Sequence, residues 1–195
     1  MANPYIDSTL LDKALHFAID AHANSERRGK GFPYIVHPFE VVEIVASITS
    51  DQELLAAAAL HDTVEDTGVT IEQLRCEFGD RIANIVEAES DDVVLDSEAE
   101  STWRARKTAA LNKLKNAPLD VKIVAMGDKL SNMRAIARDY EQLGDKLWAR
   151  FHAPNGKLDH AWRYKALAEA LSDLKETFAY REFLYLMNKT FQDID

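Results

Sequence analysis

Residues 54–60 read LLAAAAL, and the run ends directly in the polar box HDTVED at 61–66. Ala and Leu are strong helix formers, and a helix that is apolar on every side has to lie inside a protein rather than on its surface. Such a segment needs other helices around it, and the rest of the chain reads as a supply of them. STLLDKALHFAIDAHA sets Leu11, Leu15, Ala18 and Ile19 at helical spacing behind Ser8, a cap candidate. HPFEVVEIVASI carries Pro38 where a first helical turn tolerates it. DQELLAAAALHDTVED is expected as one central helix running on through the polar box. TIEQLRCEFG opens with Thr70 and Gln73 at capping-box spacing and stops at Gly79, and DRIANIVEA comes next. ESTWRARKTAALNKLKNA and PLDVKIVAMGDKLSNMRAIARDY read as two long helices, the second opened by Pro118. LDHAWRYKALAEALSDLKETF and REFLYLMNKTF close the chain. No convincing alternating strand appears, and PYIV is too short to be one. The expectation is an all-α protein of helices packed on one another, with residues 1–195 forming one domain.

Charge and cysteine usage narrow the partners. The net charge of -10 argues against broad nucleic-acid binding, which needs a basic face. A small anionic ligand is compatible with it, given a local basic cluster or a metal ion to offset the field. Cys76 stands alone, so no internal disulfide is possible and a reducing compartment is expected. No basic-then-apolar leader opens the chain, and no apolar run approaches the roughly 20 residues of a membrane span. The expectation is a cytoplasmic protein with no membrane partner. Two connections stand out: NSERRGKGFPY at 24–34 is basic, and ESDDVVLDSEAE at 89–100 is acidic and reads as a solvated link.

Four ligand-capable side chains crowd the polar box. On a continuous helix His61 and Glu65 lie one turn apart, as do Asp62 and Asp66, and the two pairs are offset by about 100°. A metal ion beside this stripe can take a nitrogen from His61 and an oxygen from Asp62. Glu65 and Asp66 then sit a turn further on, where they can position or deprotonate a water. Two ligands do not hold a catalytic ion. His37, fixed before Pro38, and Asp128, at the end of the apolar VKIVAM, are the candidates for the rest. Two imidazoles and two carboxylates suit a first-row divalent ion such as Mn²⁺, Fe²⁺ or Zn²⁺. His16, His22, His152 and His160 receive no role.

His37, then HD at 61–62, then Asp128 resembles the H…HD…D metal signature of the HD phosphohydrolase superfamily. GFPYIVHP, LHDTVEDT and GDKLSNMR are similar, in this order, to three motifs of the (p)ppGpp hydrolase domain of the RelA/SpoT homologues. The resemblance implies an HD-domain bundle of about eight to ten helices, with His37, His61, Asp62 and Asp128 as Mn²⁺ ligands. It makes Glu65 and Asp66 the pair that activates the attacking water, and Asn132 and Tyr164 substrate contacts. Arg28 corresponds to an Arg that packs on the nucleotide base. Arg134, in NMR, is implied to meet the departing charge, with Arg28, Lys30 and Lys129 as further cations. Gly29 and Lys30 depart from the family pattern in this loop. A chain ending near residue 195 resembles the small stand-alone hydrolases, which remove the 3′-pyrophosphate of ppGpp or pppGpp. The alternatives are the same centre acting on an adenosine alarmone, a cyclic dinucleotide or the 2′-phosphate of NADPH, and a non-catalytic nucleotide sensor. The oligomeric state stays open.

Overall fold

In the computed structural model, which describes residues 7–89 and 99–194, the apolar run does lie at the centre. It forms α3 (Gln52–Leu60), in which every side chain from Leu54 to Leu60 is buried. Around it stand α1 (Thr9–Ala21), α2 (Val36–Ala46), α6 (Asp80–Glu89) and the 25-residue α8 (Leu119–Leu143), all in contact with α3. The remaining helices are α4 (Thr63–Asp66), α5 (Ile71–Phe78), α7 (Ala99–Lys115), α9 (Lys157–Ala170) and α10 (Phe178–Thr190). Short 3-10 turns cover Gly144–Arg150 and Ser172–Leu174. Among the described residues the only extended pairing is one isolated bridge between Glu26 and Pro33. The all-helical expectation holds, with ten α-helices among the described residues. None of these helices is long and apolar enough to cross a membrane.

Local chemistry sets most of the boundaries. Thr70 and Gln73 form the expected reciprocal capping box, and Gly79 ends α5 with φ 86. The Asp51 carboxylate caps α3 by accepting from the Glu53 N–H at 3.0 Å. At α1 the cap lies one residue earlier than expected: Asp7 Oδ1 accepts from the Thr9 N–H at 3.0 Å, while Ser8 Oγ donates to Asp12.

Two expected helices are divided. The segment through the polar box breaks at His61 and Asp62, which form a turn before the single turn of α4. His61 Nδ1 takes the Ala58 carbonyl at 2.9 Å and Thr63 Oγ1 takes that of Leu60 at 2.7 Å. These side chains satisfy carbonyls that a continuing helix would have used, so the chain can turn while buried. The segment from Leu158 onward likewise stops at Ala170, and α10 begins at Phe178 behind Thr177, whose hydroxyl accepts from the Tyr180 N–H at 3.2 Å.

Buried apolar side chains from α1 through α10 form one cluster. Within it, the crossing of α2 with α8 sets two polar side chains from distant parts of the chain side by side. A Cβ on Gly127 would lie 2.8 Å from Val45 Cγ2, 2.9 Å from Val41 Cγ1 and 3.1 Å from the Val41 carbonyl oxygen. Glycine therefore lets the two helices touch, one residue before Asp128 and close to His37.

Candidate active site

His37 enters from the start of α2, His61 and Asp62 from the turn after α3, and Asp128 from the middle of α8. His37, His61 and Asp128 each offer one ligand atom within 4.8 Å of the others. Asp62 Oδ2 completes the group, 2.9 Å from His61 Nε2 and 3.4 Å from His37 Nε2. Asp128 Oδ1 lies 3.1 Å from His37 Nε2 and 3.7 Å from His61 Nε2.

The orientation of both rings fits a cation. A backbone carbonyl only accepts, so His61 Nδ1 carries a proton in its bond to Ala58, and Nε2 is the nitrogen that faces the carboxylates. His61 Nε2 is buried without a hydrogen bond although Asp62 Oδ2 is 2.9 Å away, because the two atoms are not aimed at one another. Two imidazole nitrogens and two carboxylate oxygens brought this close together are the donor set of a divalent ion. His37 Nδ1 is held at 2.8 Å by Ser131 Oγ, which also leaves Nε2 facing inward. The electrostatics agree. Burial disfavours charge on His61, but the carboxylates of Asp62 and Asp128 outweigh it and hold the imidazole pKa above its usual value. Burial likewise opposes ionisation of Asp62 and Asp128. The neighbouring histidines, and the Lys129 ammonium for Asp128, prevail and keep both carboxyls below their usual range. The site favours bound positive charge.

The ligands open onto a cavity of about 270 Å³ that Glu65 and Asp66 also line. It adjoins a larger one of about 870 Å³, with Arg27, Tyr34, Asp66, Lys129, Asn132 and Arg163 common to both walls. That size suits a small molecule. Six Lys and Arg side chains line the larger cavity against three carboxylates, so an acidic chain carries a locally basic mouth matched to an anion. Phe151, Tyr164, Ile136, Leu147 and Leu167 make another part of its wall apolar.

Of the residues expected to meet substrate, Arg28, Asn132 and Tyr164 line the larger cavity. Asn132 donates through Nδ2 to Asp128 and accepts from Arg27 through its oxygen. Lys129 is tied to Asp128 at 2.6 Å and approaches Glu89 at 3.6 Å, and Lys30 pairs with Asp139. Arg134 is not brought to the site. It lines neither cavity and is committed to Glu182 through two 2.7 Å bonds and to Glu40 at 3.3 Å. Two positions along a helix turn a side chain through about 200°, so Asn132 and Arg134 face opposite ways.

Several residues of the site receive no role from the sequence. Tyr34 lies inside the PYIVHP motif; its hydroxyl donates to Asp62 Oδ2, and burial with that carboxylate raises its pKa so that the proton stays. Arg27, adjacent to Arg28, lies over the Tyr34 ring at 5.3 Å. Glu89, expected to open a solvated acidic link, instead ends α6 with its carboxylate buried beside Lys129, and burial raises its pKa. Residues 90–98 of that link lie outside the described residues. His22 and His160, given no role from the sequence, are buried in the wall of the larger cavity with both ring nitrogens unpartnered.

Comparison with known proteins gives the same outline. A family profile described as HD domain matches residues 14–157. The chain is 32% identical over 182 residues to the guanosine-3′,5′-bis(diphosphate) 3′-pyrophosphohydrolase MESH1 of Xenopus tropicalis, covering 83% of this chain and 98% of that one. It is 38% identical over 135 residues to a probable GTP pyrophosphokinase of Mycobacterium leprae, covering 68% of this chain and 16% of that relative. It is 31% identical over 166 residues to a probable guanosine-3′,5′-bis(diphosphate) 3′-pyrophosphohydrolase of Synechocystis sp., covering 84% of this chain and 22% of that relative. The chain thus spans less than a quarter of the latter two. Among solved structures, a metazoan ortholog of SpoT that hydrolyzes ppGpp superposes with a TM-score of 0.74 at 22% identity, over 96% of this chain and 97% of that one. The lmo0812 protein of Listeria monocytogenes EGD-e superposes at 0.69 with 24% identity, over 83% of this chain and 99% of that one. At these identities the two structures show a shared fold.

Proposed function

The chain belongs to the HD-domain family, and from that premise we propose that it is a Mn²⁺-dependent hydrolase of ppGpp and pppGpp. It removes the 3′-pyrophosphate and releases GDP or GTP. The observation that carries this reading is the convergence of two imidazole nitrogens and two carboxylates beside Glu65 and Asp66, at the floor of a cavity whose mouth is basic. The similarity to MESH1 over almost its whole length supports the substrate. The donor set favours Mn²⁺ over Mg²⁺, which takes oxygen ligands and disfavours imidazole.

His37, His61, Asp62 and Asp128 would hold a divalent ion, and such an ion would supply polarisation of a phosphoryl oxygen and a lowered pKa for a water. The protein supplies the rest. Glu65 and Asp66 accept the proton of the attacking water and aim it at phosphorus. Arg27, Lys129 and Arg163, on the wall common to both cavities, stabilise the charge that develops on the pyrophosphate. Tyr34 keeps its proton and fixes the Asp62 carboxylate. Arg28 packs on the base at the wider end, where Tyr164 contributes an aromatic wall. Residues 1–195 act as one such domain, and the cytoplasm is the compartment in which the exposed free thiol of Cys76 and a nucleotide substrate fit together.

The test is a panel of phosphorylated nucleotides incubated with the Mn²⁺-loaded protein, with products separated by chromatography. Cleavage of ppGpp to GDP and pyrophosphate is expected. Cleavage of an adenosine alarmone or of NADPH with ppGpp left intact would replace the substrate. No cleavage of any nucleotide in the panel would overturn the hydrolase reading.

A further inference from the structure

Asp128, Ser131 and Arg134 succeed one another at three-residue spacing along α8, and Arg134 points away from the cavity that its neighbours serve. Its position is explained by a chain of contacts leading back to His37. Ser131 Oγ is buried 2.8 Å from His37 Nδ1 and donates to Glu40 Oε2 at 2.7 Å. Glu40 stands one turn beyond His37 on α2, and its other oxygen accepts from Arg134 Nη1 at 3.3 Å. Arg134 is in turn clamped by Glu182 of α10, Nε to Oε1 and Nη2 to Oε2, each at 2.7 Å. Glu43 lies 3.7 Å from the same guanidinium.

The direction of each bond is set by what the groups can donate. An ionised carboxylate only accepts, so the single Ser131 proton points to Glu40 and its oxygen lone pairs face His37. His37 Nδ1 must then be the N–H of its bond to Ser131, and Nε2 presents a lone pair toward Asp62 and Asp128. If Glu40 were lost, the hydroxyl could rotate and give its proton to Nδ1. The ring would then carry its proton on Nε2, the atom that has to ligate. The Arg134 guanidinium holds the Glu40 carboxylate in place, and the paired bonds from Glu182 fix where that guanidinium stands.

We propose that Arg134, acting through Glu40 and Ser131, is a positioning residue for His37: it fixes the tautomer and tilt of the imidazole so that Nε2 is free to hold a divalent cation. The inference rests on the proposed metal site and is independent of which nucleotide is cleaved. It assigns Arg134, Glu40 and Glu182 a task in a metal centre that none of them touches.

The test is Mn²⁺ affinity, measured on chelator-stripped full-length protein by competition with a metal-binding dye, well below the unfolding temperature recorded in chelator. Ser131→Ala and Glu40→Gln should each weaken Mn²⁺ binding about 10–100-fold, the range for lost partners of metal-ligating histidines. Arg134→Gln should weaken it in the same direction but less. The Glu40→Gln/Arg134→Gln double variant should bind no worse than Glu40→Gln alone, because Arg134 acts through Glu40. With excess Mn²⁺ the variants should regain turnover, and KM for the nucleotide should stay at the wild-type value. Additive losses in the double variant would break the Arg134 link. Wild-type affinity in both Ser131→Ala and Glu40→Gln would overturn the inference while leaving the metal site standing. Failure of the wild-type protein itself to bind Mn²⁺ would remove the metal site and the inference together. A raised KM that excess Mn²⁺ does not correct in Arg134→Gln would return that residue to the substrate.

Discussion

At the scale of single residues, the turn at His61–Asp62 separates two kinds of carboxylate and imidazole work. His61 and Asp62 stand in the turn with their polar atoms directed at His37 and Asp128, whereas Glu65 and Asp66 belong to α4 and line the cavity floor. Glu65→Gln keeps the shape and removes a base, so metal content and nucleotide affinity should persist while turnover falls by about 10²–10⁴. His61→Ala should lose metal and activity together, with the rise in Tm that metal confers on a protein it binds only when folded. Metal analysis and calorimetry with a nucleotide, run beside turnover for each variant, separate the roles. An empty metal site in Glu65→Gln would make Glu65 a ligand. The motif words were enough to name His37, His61, Asp62 and Asp128 as a group. They were not enough to show that Asp62 accepts from Tyr34, or that His37 meets a hydroxyl 94 positions away.

At the scale of elements, the contact of α2 with α8 is what brings a histidine to an aspartate. Replacing a helical glycine by alanine ordinarily gains about 0.5–1 kcal/mol. At Gly127 the new methyl would meet two stiff valine side chains at 2.8 and 2.9 Å and a backbone oxygen at 3.1 Å. Overpacking of this kind costs about 1–3 kcal/mol, so it should win: Gly127→Ala is expected to lower stability by about 1 kcal/mol or more, read from the urea midpoint. It should also weaken Mn²⁺ binding, because relief of the clash moves Asp128 relative to His37. A stability gain would mean that the helices separate at no cost and that the crossing does not constrain the site. The capping box at Thr70 was readable because both partners lie within one turn. The break after Leu60 was not, since it depends on His61 and Thr63 choosing backbone carbonyls over solvent in a buried setting.

For the molecule as a whole, burial of uncharged groups sets a pH dependence. His160 lies among Phe151 at 4.6 Å, Trp148 at 5.3 Å and Trp103 at 6.4 Å between ring centroids, and burial, with Arg163 nearby, pushes its pKa down to about 4. In the unfolded chain the same ring titrates near 6.5. Between those values the unfolded state holds a proton that the folded state refuses, so stability falls as pH drops from about 6.5 toward 4, by at most about 1.4 kcal/mol per pH unit. Urea unfolding at pH 7, 6 and 5 should show a shallower loss for His160→Phe than for the wild type; equal slopes would mean that the ring is not held neutral by the fold. What the sequence determined by itself was local or pattern-borne: helices throughout, the capping box at Thr70, a central Ala–Leu helix, and motif words that put two histidines and two aspartates in one family's order. Helical propensity and capping act over a turn or two, so they are legible in a string of residues. Only the tertiary structure decided which side of α8 faces the cavity. Arg134 is held where α2 and α10 both reach α8, by Glu40 and Glu182, while Asn132 turns to the cavity. The same placement of distant helices buries Glu89, His22 and His160 around the site. Lys129 lies 40 positions from Glu89, and Glu40 and Glu182 lie 94 and 48 positions from Arg134, and no local rule relates them.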